Sequence, residues 1–253
     1  MSPDYFSAQA SDYAQSRPSY PDELFEFLAA LTPSKHFVLD CATGNGQAAL
    51  SLAQHFDDVF AADLSFNQLK QAPCHPNIHY FQSTAESLPL KDQSMNLVVV
   101  AQAWHWFKHE AFEAEAQRLL TPGGHVAIWG YNLLRIHPAL DELIYHYYHQ
   151  TLKNYWPDER RILERGYEAF PQHLQVIPVP EFSMTAQWSL ARLLQYLRSW
   201  SATQALLGRE GEAPWLAMEE VLSQAWGNAP IRNVQWPLTL KVARHPLLPH
   251  QRP

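Results

Sequence analysis

The stretch Val38-Leu39-Asp40-Cys41-Ala42-Thr43-Gly44-Asn45-Gly46-Gln47 constrains this chain more than any other. An apolar run, two glycines separated by one residue and then Ala48-Ala49-Leu50 predict a buried central strand, a tight turn and the start of a helix. Glycine lets the backbone bend and approach a ligand with no Cβ in the way. The N–H groups left over at a helix N-terminus face that ligand, so such a turn holds a nucleotide-like cofactor.

The surrounding pattern says what the turn is set in. A helix opens at Pro21, with Asp22 and Glu23 in its first turn, and should end near Thr32-Pro33. After the turn helix, at about 47–55, strands are expected at 58–64, 78–82, 96–101 and 125–130, with a helix over 109–120. The run 96–101 is continuously apolar, as a strand covered on both faces should be. Strands alternating with helices predict an α/β fold with a doubly wound, mostly parallel sheet. After Tyr131 the pattern changes to a helical stretch over 137–170, interrupted by Pro157. A loosely alternating strand at 175–188, helices at 189–207 and 214–225, and a closing strand at 234–242 follow. In that last strand Pro237 suggests an edge or a bulge.

Composition excludes several function classes. The 25 acidic residues outnumber 18 basic ones, for a net charge of −7, so the chain carries no basic field for nucleic acid. Only two cysteines occur, and Cys41 sits in the turn, which argues against a disulfide framework and for a reducing compartment. Met1-Ser2-Pro3-Asp4-Tyr5 lacks a targeting pattern, and no apolar run reaches membrane-spanning length. These features together predict a soluble cytoplasmic protein. No metal site is expected: Trp106 stands where a zinc hydrolase would carry its glutamate between His105 and His109, and His146 with His149 has no evident third ligand.

Two cofactors compete for the turn. A dinucleotide such as NAD wants a third glycine three residues after the second, where this chain has Ala49, a residue some such sites tolerate. Asp40 before the turn and the lack of a separate substrate half fit S-adenosylmethionine better. Asp63, nineteen residues beyond Gly44, stands where an acid accepts hydrogen bonds from ribose hydroxyls across two parallel strands.

Taken in order, Asp40-x-Ala42-x-Gly44-x-Gly46, Asp63, Thr84-Ala85-Glu86-x-Leu88-Pro89 and Ala101-Gln102-Ala103-x-His105-Trp106-Phe107 resemble the successive motifs of class I S-adenosylmethionine-dependent methyltransferases. Within them the chain is most similar to the small-molecule group with trans-aconitate methyltransferase-like members. Tyr13-Ala14-x-x-Arg17-Pro18-x-Tyr20-Pro21 and the final Lys241-Val242-Ala243-Arg244 extend the resemblance over nearly the whole chain. One departure is Ala42, where the common pattern has glycine.

The resemblance implies one methyltransferase domain over 1–253, with a cofactor-binding core at about 33–132. It further implies a seven-stranded sheet ending in an antiparallel pair, here 175–188 and 234–243, and a helical substrate cover at 133–170 and 189–227. The implied cofactor-binding residues are Tyr13, Arg17, Asp40, Ala42, Thr43, Gly44, Gly46, Gln47, Asp63, Leu64, Gln68, Ala85, Glu86, Ala101, Gln102 and Ala103. Among these Ala85 and Glu86 would flank the adenine, and Arg17 with Tyr13 would reach over the donor's carboxylate. His105 is the candidate catalytic residue, with Trp104, Trp106 and Tyr131 at the substrate; the competing reading makes the aromatics core and the histidine a structural hydrogen-bonder.

Methyl transfer from a sulfonium is an in-line displacement from a donor already activated, so alignment and exclusion of water are the protein's main tasks. A carboxylate acceptor needs no base; a hydroxyl or amine would need deprotonation, for which His105 is nearest. Tyr131, Arg135, Tyr145, Tyr148, Trp156, Arg160, Arg161 and Arg165 in the cover suit an anionic, partly apolar small molecule, although Arg160 and Arg161 beside Asp158 and Glu159 also read as a solvated helix face. The expected function is O-methylation of an organic acid. The alternatives are an amine, carbon or natural-product acceptor, or a different class, namely a dinucleotide-binding reductase or a non-catalytic cofactor-binding protein.

Overall fold

A computed structural model describes residues 18–246 except 33 and 172. Its first helix, α1 (Asp22–Leu31), follows Pro21 and buries Leu24, Phe25, Leu28 and Ala29 on one side. The strand–turn–helix unit then forms as β1 (Phe37–Cys41) and α2 (Gln47–Leu52), followed by β2 (Asp58–Asp63), α3 (Phe66–Leu69) and β3 (Ile78–Gln82). Next come β4 (Met95–Ala101), a 3-10 turn at Trp104–Trp106, α4 (His109–Leu119) and β5 (Leu120–Tyr131). Strands β1 to β5 pair in parallel in the order β3-β2-β1-β4-β5.

The expected alternation of strands and helices therefore yields the doubly wound sheet. In β4, successive residues point to opposite faces and both faces are covered. Leu97 and Val99 join a core with Leu24, Phe25, Leu28 and Leu52, while Val98 and Val100 join a second core with Phe112, Ala116 and Leu119. The open ends of these parallel strands, after Cys41, Asp63, Ala101 and Tyr131, fall on one edge of the sheet, where ligands bind in such folds.

After β5 comes α5 (Pro138–His146), which runs into a π-helical turn at Tyr147–Thr151. The chain continues with α6 (Arg160–Glu164), β6 (Gln175–Ile177), β7 (Ser183–Trp188), α7 (Leu190–Arg198), α8 (Ser201–Glu210), α9 (Ala213–Trp226) and β8 (Arg232–Arg244). Two sequence expectations need correction here. The strand expected at 175–188 is broken into β6 and β7, because Pro178 and Pro180 cannot donate to a ladder, so the sheet has eight strands rather than seven. The helix expected at 189–207 breaks at Trp200, whose extended backbone lets its ring pack on Tyr148, Trp156 and Tyr196.

Strand β8 is antiparallel to β6 and β7, as expected of the closing pair, and it is an interior strand because it also pairs antiparallel with β5. Pro237 is tolerated there because it lies at a handover: residues 232–237 pair with β7 and 238–244 with β5. Among the described residues both cysteines are free, and no helix is long and apolar enough to cross a membrane.

Candidate active site

The glycine turn is tied to the end of β2. Thr43 N–H donates to the Ala62 carbonyl at 2.9 Å, and Gly44 N–H donates to Asp63 Oδ2 at 2.8 Å. The other Asp63 oxygen accepts from Ser65 N–H at 2.7 Å, where Ser65 caps α3. Asp63 thus braces two loops at once, holding its carboxylate at the end of β2 beside the turn. Gly46 N–H is likewise spent inside the protein, on the Thr43 carbonyl at 3.0 Å, so neither glycine amide is among the N–H groups left over where the helix starts.

The two glycines do different work. Among the described residues, a Cβ on Gly44 would meet nothing closer than Gln68 Oε1 at 4.0 Å. A Cβ on Gly46 would stand 2.5 Å from Tyr80 Oη, so the space belongs to a tyrosine of β3 that the sequence reading did not single out. Ala42 adopts φ 58°, the left-handed region where glycine is free of cost, which explains the residue type expected there.

Asp40 is fully buried beneath the turn and accepts from Thr43 Oγ1 at 2.6 Å. Burial pushes its pKa up to about 7 against the Thr43 bond, and the Asp63 charge adds to the rise. Gln47 Nε2 donates to the Pro18 carbonyl at 3.1 Å, bringing the residues before α1 to the turn. Tyr13 and Arg17 lie outside the described residues. Leu64 is exposed beside Asp63, and Gln68 sits one turn into α3. Ala85 packs against the α4-side core, and Glu86 Oε1 accepts from Lys108 N–H at 3.2 Å, which draws the 83–90 loop to the start of α4.

The second cluster lies past the ends of β4 and β5. Gln102 has φ 57°, with its N–H on the Trp129 carbonyl at 2.8 Å and Nε2 on the Tyr131 carbonyl at 3.1 Å. Its Oε1 is buried without a hydrogen bond, as are Tyr167 Oη and His105 Nδ1. Gly130 makes room for two of these: a Cβ there would stand 2.5 Å from Tyr167 Oη and 2.7 Å from Gln102 Oε1. Buried polar atoms are nearly always satisfied, so these three are candidates to meet a ligand's polar groups, as are Asp40 Oδ1 and Tyr80 Oη beside the glycine turn.

Ala101 and Ala103 flank Gln102, and Ala103 opens the 3-10 turn that carries His105. The His105 ring lies parallel to Tyr167, 6.5 Å between centroids, and is tilted against Trp106 at 4.9 Å. Burial, then the charges of Arg160 and His109, hold its pKa down to about 3, so the imidazole is neutral and a weak base. Trp104 is fully buried, stacked on His109 at 3.7 Å and set edge-on to Tyr167 and Phe170. The Tyr131 side chain lies in the α1-side core. For these two aromatics the geometry favours the core reading over a substrate contact.

Comparisons with known proteins bear on the family of the chain. Residues 39–128 match a family model described as a methyltransferase domain. Over 249 residues the chain is 28% identical to a Dictyostelium discoideum protein named as a methyltransferase, covering 95% of each. A solved structure from Anaeromyxobacter dehalogenans, named as a type II methyltransferase, superposes with a TM-score of 0.86 at 35% identity, over 92% of this chain and 99% of that one. A second, from Bacillus halodurans, gives a TM-score of 0.54 at 20% identity over 89% and 98%, a likeness of fold alone.

Proposed function

The chain belongs to the class I S-adenosylmethionine-dependent methyltransferases, and from that premise we propose that it methylates the carboxylate oxygen of a small organic acid. Membership sets aside the reductase reading. The residues present fit the donor: the Asp63 carboxylate ends β2 beside the glycine turn, where an acid meets ribose hydroxyls, and among the described residues nothing fills the space beside Gly44. We assign donor binding to Asp63 and the Ala42–Gly46 turn, with Ala85 and Glu86 toward the adenine and Gln102 toward the reacting end. Bound there, the donor supplies a methyl group on a sulfonium, and its transfer to a carboxylate breaks the S–C bond as the O–C bond forms, cancelling two charges without moving a proton.

The choice of acceptor is carried by the setting of His105: its ring is buried against Trp106 and Tyr167 with, among the described residues, no carboxylate on it to raise its basicity, and burial with the Arg160 charge holds its pKa low. An acceptor that arrives already ionised needs no base there, whereas a hydroxyl would. An amine would arrive as a cation beside Arg160, a like charge. His105 then acts as a neutral hydrogen-bonding group that orients the acceptor. The likeness of the motifs to the trans-aconitate methyltransferase-like group points the same way and forms part of this proposal.

The test is incubation with methyl-labelled S-adenosylmethionine and a panel of carboxylic acids, followed by mild alkali. Label released as methanol is expected, since esters hydrolyse under those conditions. Label that stays on the product would mean a methyl ether or an N- or C-methyl group and would overturn the choice of acceptor.

A further inference from the structure

The helical run ends at Thr151, turns lead through Pro157, and the chain re-enters a helix at Arg160, which sends two adjacent arginines to opposite surroundings. Arg161 is the solvated one, paired with Asp158 at 3.1 Å with both side chains mostly exposed. Arg160 turns inward. Its Nε donates to Tyr148 Oη, its Nη2 donates to Asn132 Oδ1 at 3.2 Å, and its guanidinium lies 4.4 Å from the Trp156 ring centroid and 5.4 Å from that of Tyr148. Tyr148 reaches this point from the π-helical turn, where Tyr147 and Tyr148 are both buried, Tyr147 donating to Thr203 and Tyr148 to Glu164.

Such a guanidinium is fixed on three sides and points one edge elsewhere. Among the described residues no carboxylate forms an ion pair with Arg160, Glu164 being reached only through the Tyr148 hydroxyl, and Nη1 makes no hydrogen bond. Asn132 follows β5 directly, so Arg160 stands over the strand ends that carry Gln102, His105 and Gly130. Its charge is felt at His105 and at Tyr167, the residues whose buried polar atoms lack partners. A planar fork with a free edge, desolvated by aromatic faces, is suited to a carboxylate.

We infer that Arg160 is the specificity-determining residue of the acceptor site: its Nη1 edge holds the carboxylate of the incoming acid, and the neutral ester loses that hold. The inference rests on the acid-acceptor reading above and adds to it a direction of exchange. Methyl transfer removes the charge that Arg160 reads, so the same residue that admits the substrate releases the product.

The experiment measures binding of two acid and ester pairs, phenylacetate with methyl phenylacetate and hexanoate with methyl hexanoate, by quenching of tryptophan fluorescence in the presence of S-adenosylhomocysteine. In the native protein at least one acid should bind about tenfold or more tightly than its ester. Arg160→Gln should remove that preference while leaving ester binding and S-adenosylhomocysteine binding within about twofold, and Arg160→Lys should keep part of it. If neither acid outbinds its ester in the native protein, or if Arg160→Gln weakens acid and ester alike, the assignment is overturned. Its failure is separable from failure of the acceptor reading. Alkali-labile methyl product with no acid preference would sink the role of Arg160 alone; an acid preference lost in Arg160→Gln, with alkali-stable product, would sink the acceptor reading alone.

Discussion

The two ends of the site are built from different materials. The donor end is made of backbone from two neighbouring loops: the amides of Gly44 and Ser65 converge on one carboxylate, Asp63, and a buried carboxyl, Asp40, sits below. The acceptor end is made of side chains from distant segments, Gln102 and His105 after β4, Tyr167 after α6, and Arg160 against Asn132. Buried polar atoms without a hydrogen bond occur at both ends: Asp40 Oδ1 and Tyr80 Oη at the first, Gln102 Oε1, His105 Nδ1 and Tyr167 Oη at the second. A cofactor common to many enzymes can be held by a fixed backbone frame, whereas an acceptor must be read by side chains that are free to differ.

That contrast can be broken at its most rigid point. Gly46→Ala places a methyl 2.5 Å from Tyr80 Oη at a backbone φ of 83°. It should cost about 2–4 kcal/mol of stability, from overpacking and left-handed strain together. Urea unfolding measures the loss, and adding Tyr80→Phe should recover part of it. Equal stability of Gly46→Ala and the native protein would mean that the turn is not packed as described.

The two ends should also titrate in opposite senses. Asp40 has a folded pKa near 7 against an ordinary 3.8, so between those values the native state binds more protons than the unfolded chain. Its contribution to stability is complete below pH 3.8 and is lost as pH rises through 7. His105 has a folded pKa near 3 against 6.5, so there the unfolded chain binds more protons and stability is lost as pH falls from 6.5 toward 3. Unfolding free energies measured from pH 4 to 8 should show the first trend reduced in Asp40→Asn and the second reduced in His105→Asn. Either variant reproducing the native pH dependence would contradict the corresponding burial argument.

The smallest effect is expected at Ala42. Replacing it by glycine relieves a left-handed alanine at φ 58° and should stabilise the protein by about 0.5–1 kcal/mol, less whatever entropy the unfolded chain gains. A thermal melt resolves the sign, and destabilisation would show that the Ala42 methyl earns its place by packing.

The same difference in materials explains what was legible in the sequence. Strands β1 and β2 and the acid ending β2 could be read because apolar runs and glycines mark them within one contiguous stretch. Tyr80 could not, because a tyrosine in an edge strand carries no local sign that its hydroxyl lies over a glycine two strands away. Arg160 and Arg161 are equivalent as sequence neighbours, and only Asn132 and Tyr148, each more than ten residues distant in the chain, separate them. Tyr167 was missed for the same reason, its ring meeting His105 across more than sixty residues. The break between β6 and β7 was legible in principle from Pro178 and Pro180, but loose alternation on either side hid it.

The most direct test of the donor site is calorimetric titration of the native protein and of Asp63→Asn with S-adenosylhomocysteine. Asparagine keeps the shape but loses the charge and one acceptor oxygen, so micromolar binding in the native protein, about −8 kcal/mol, should weaken by about tenfold to a hundredfold. Unchanged affinity in Asp63→Asn would contradict the placement of the cofactor at this carboxylate.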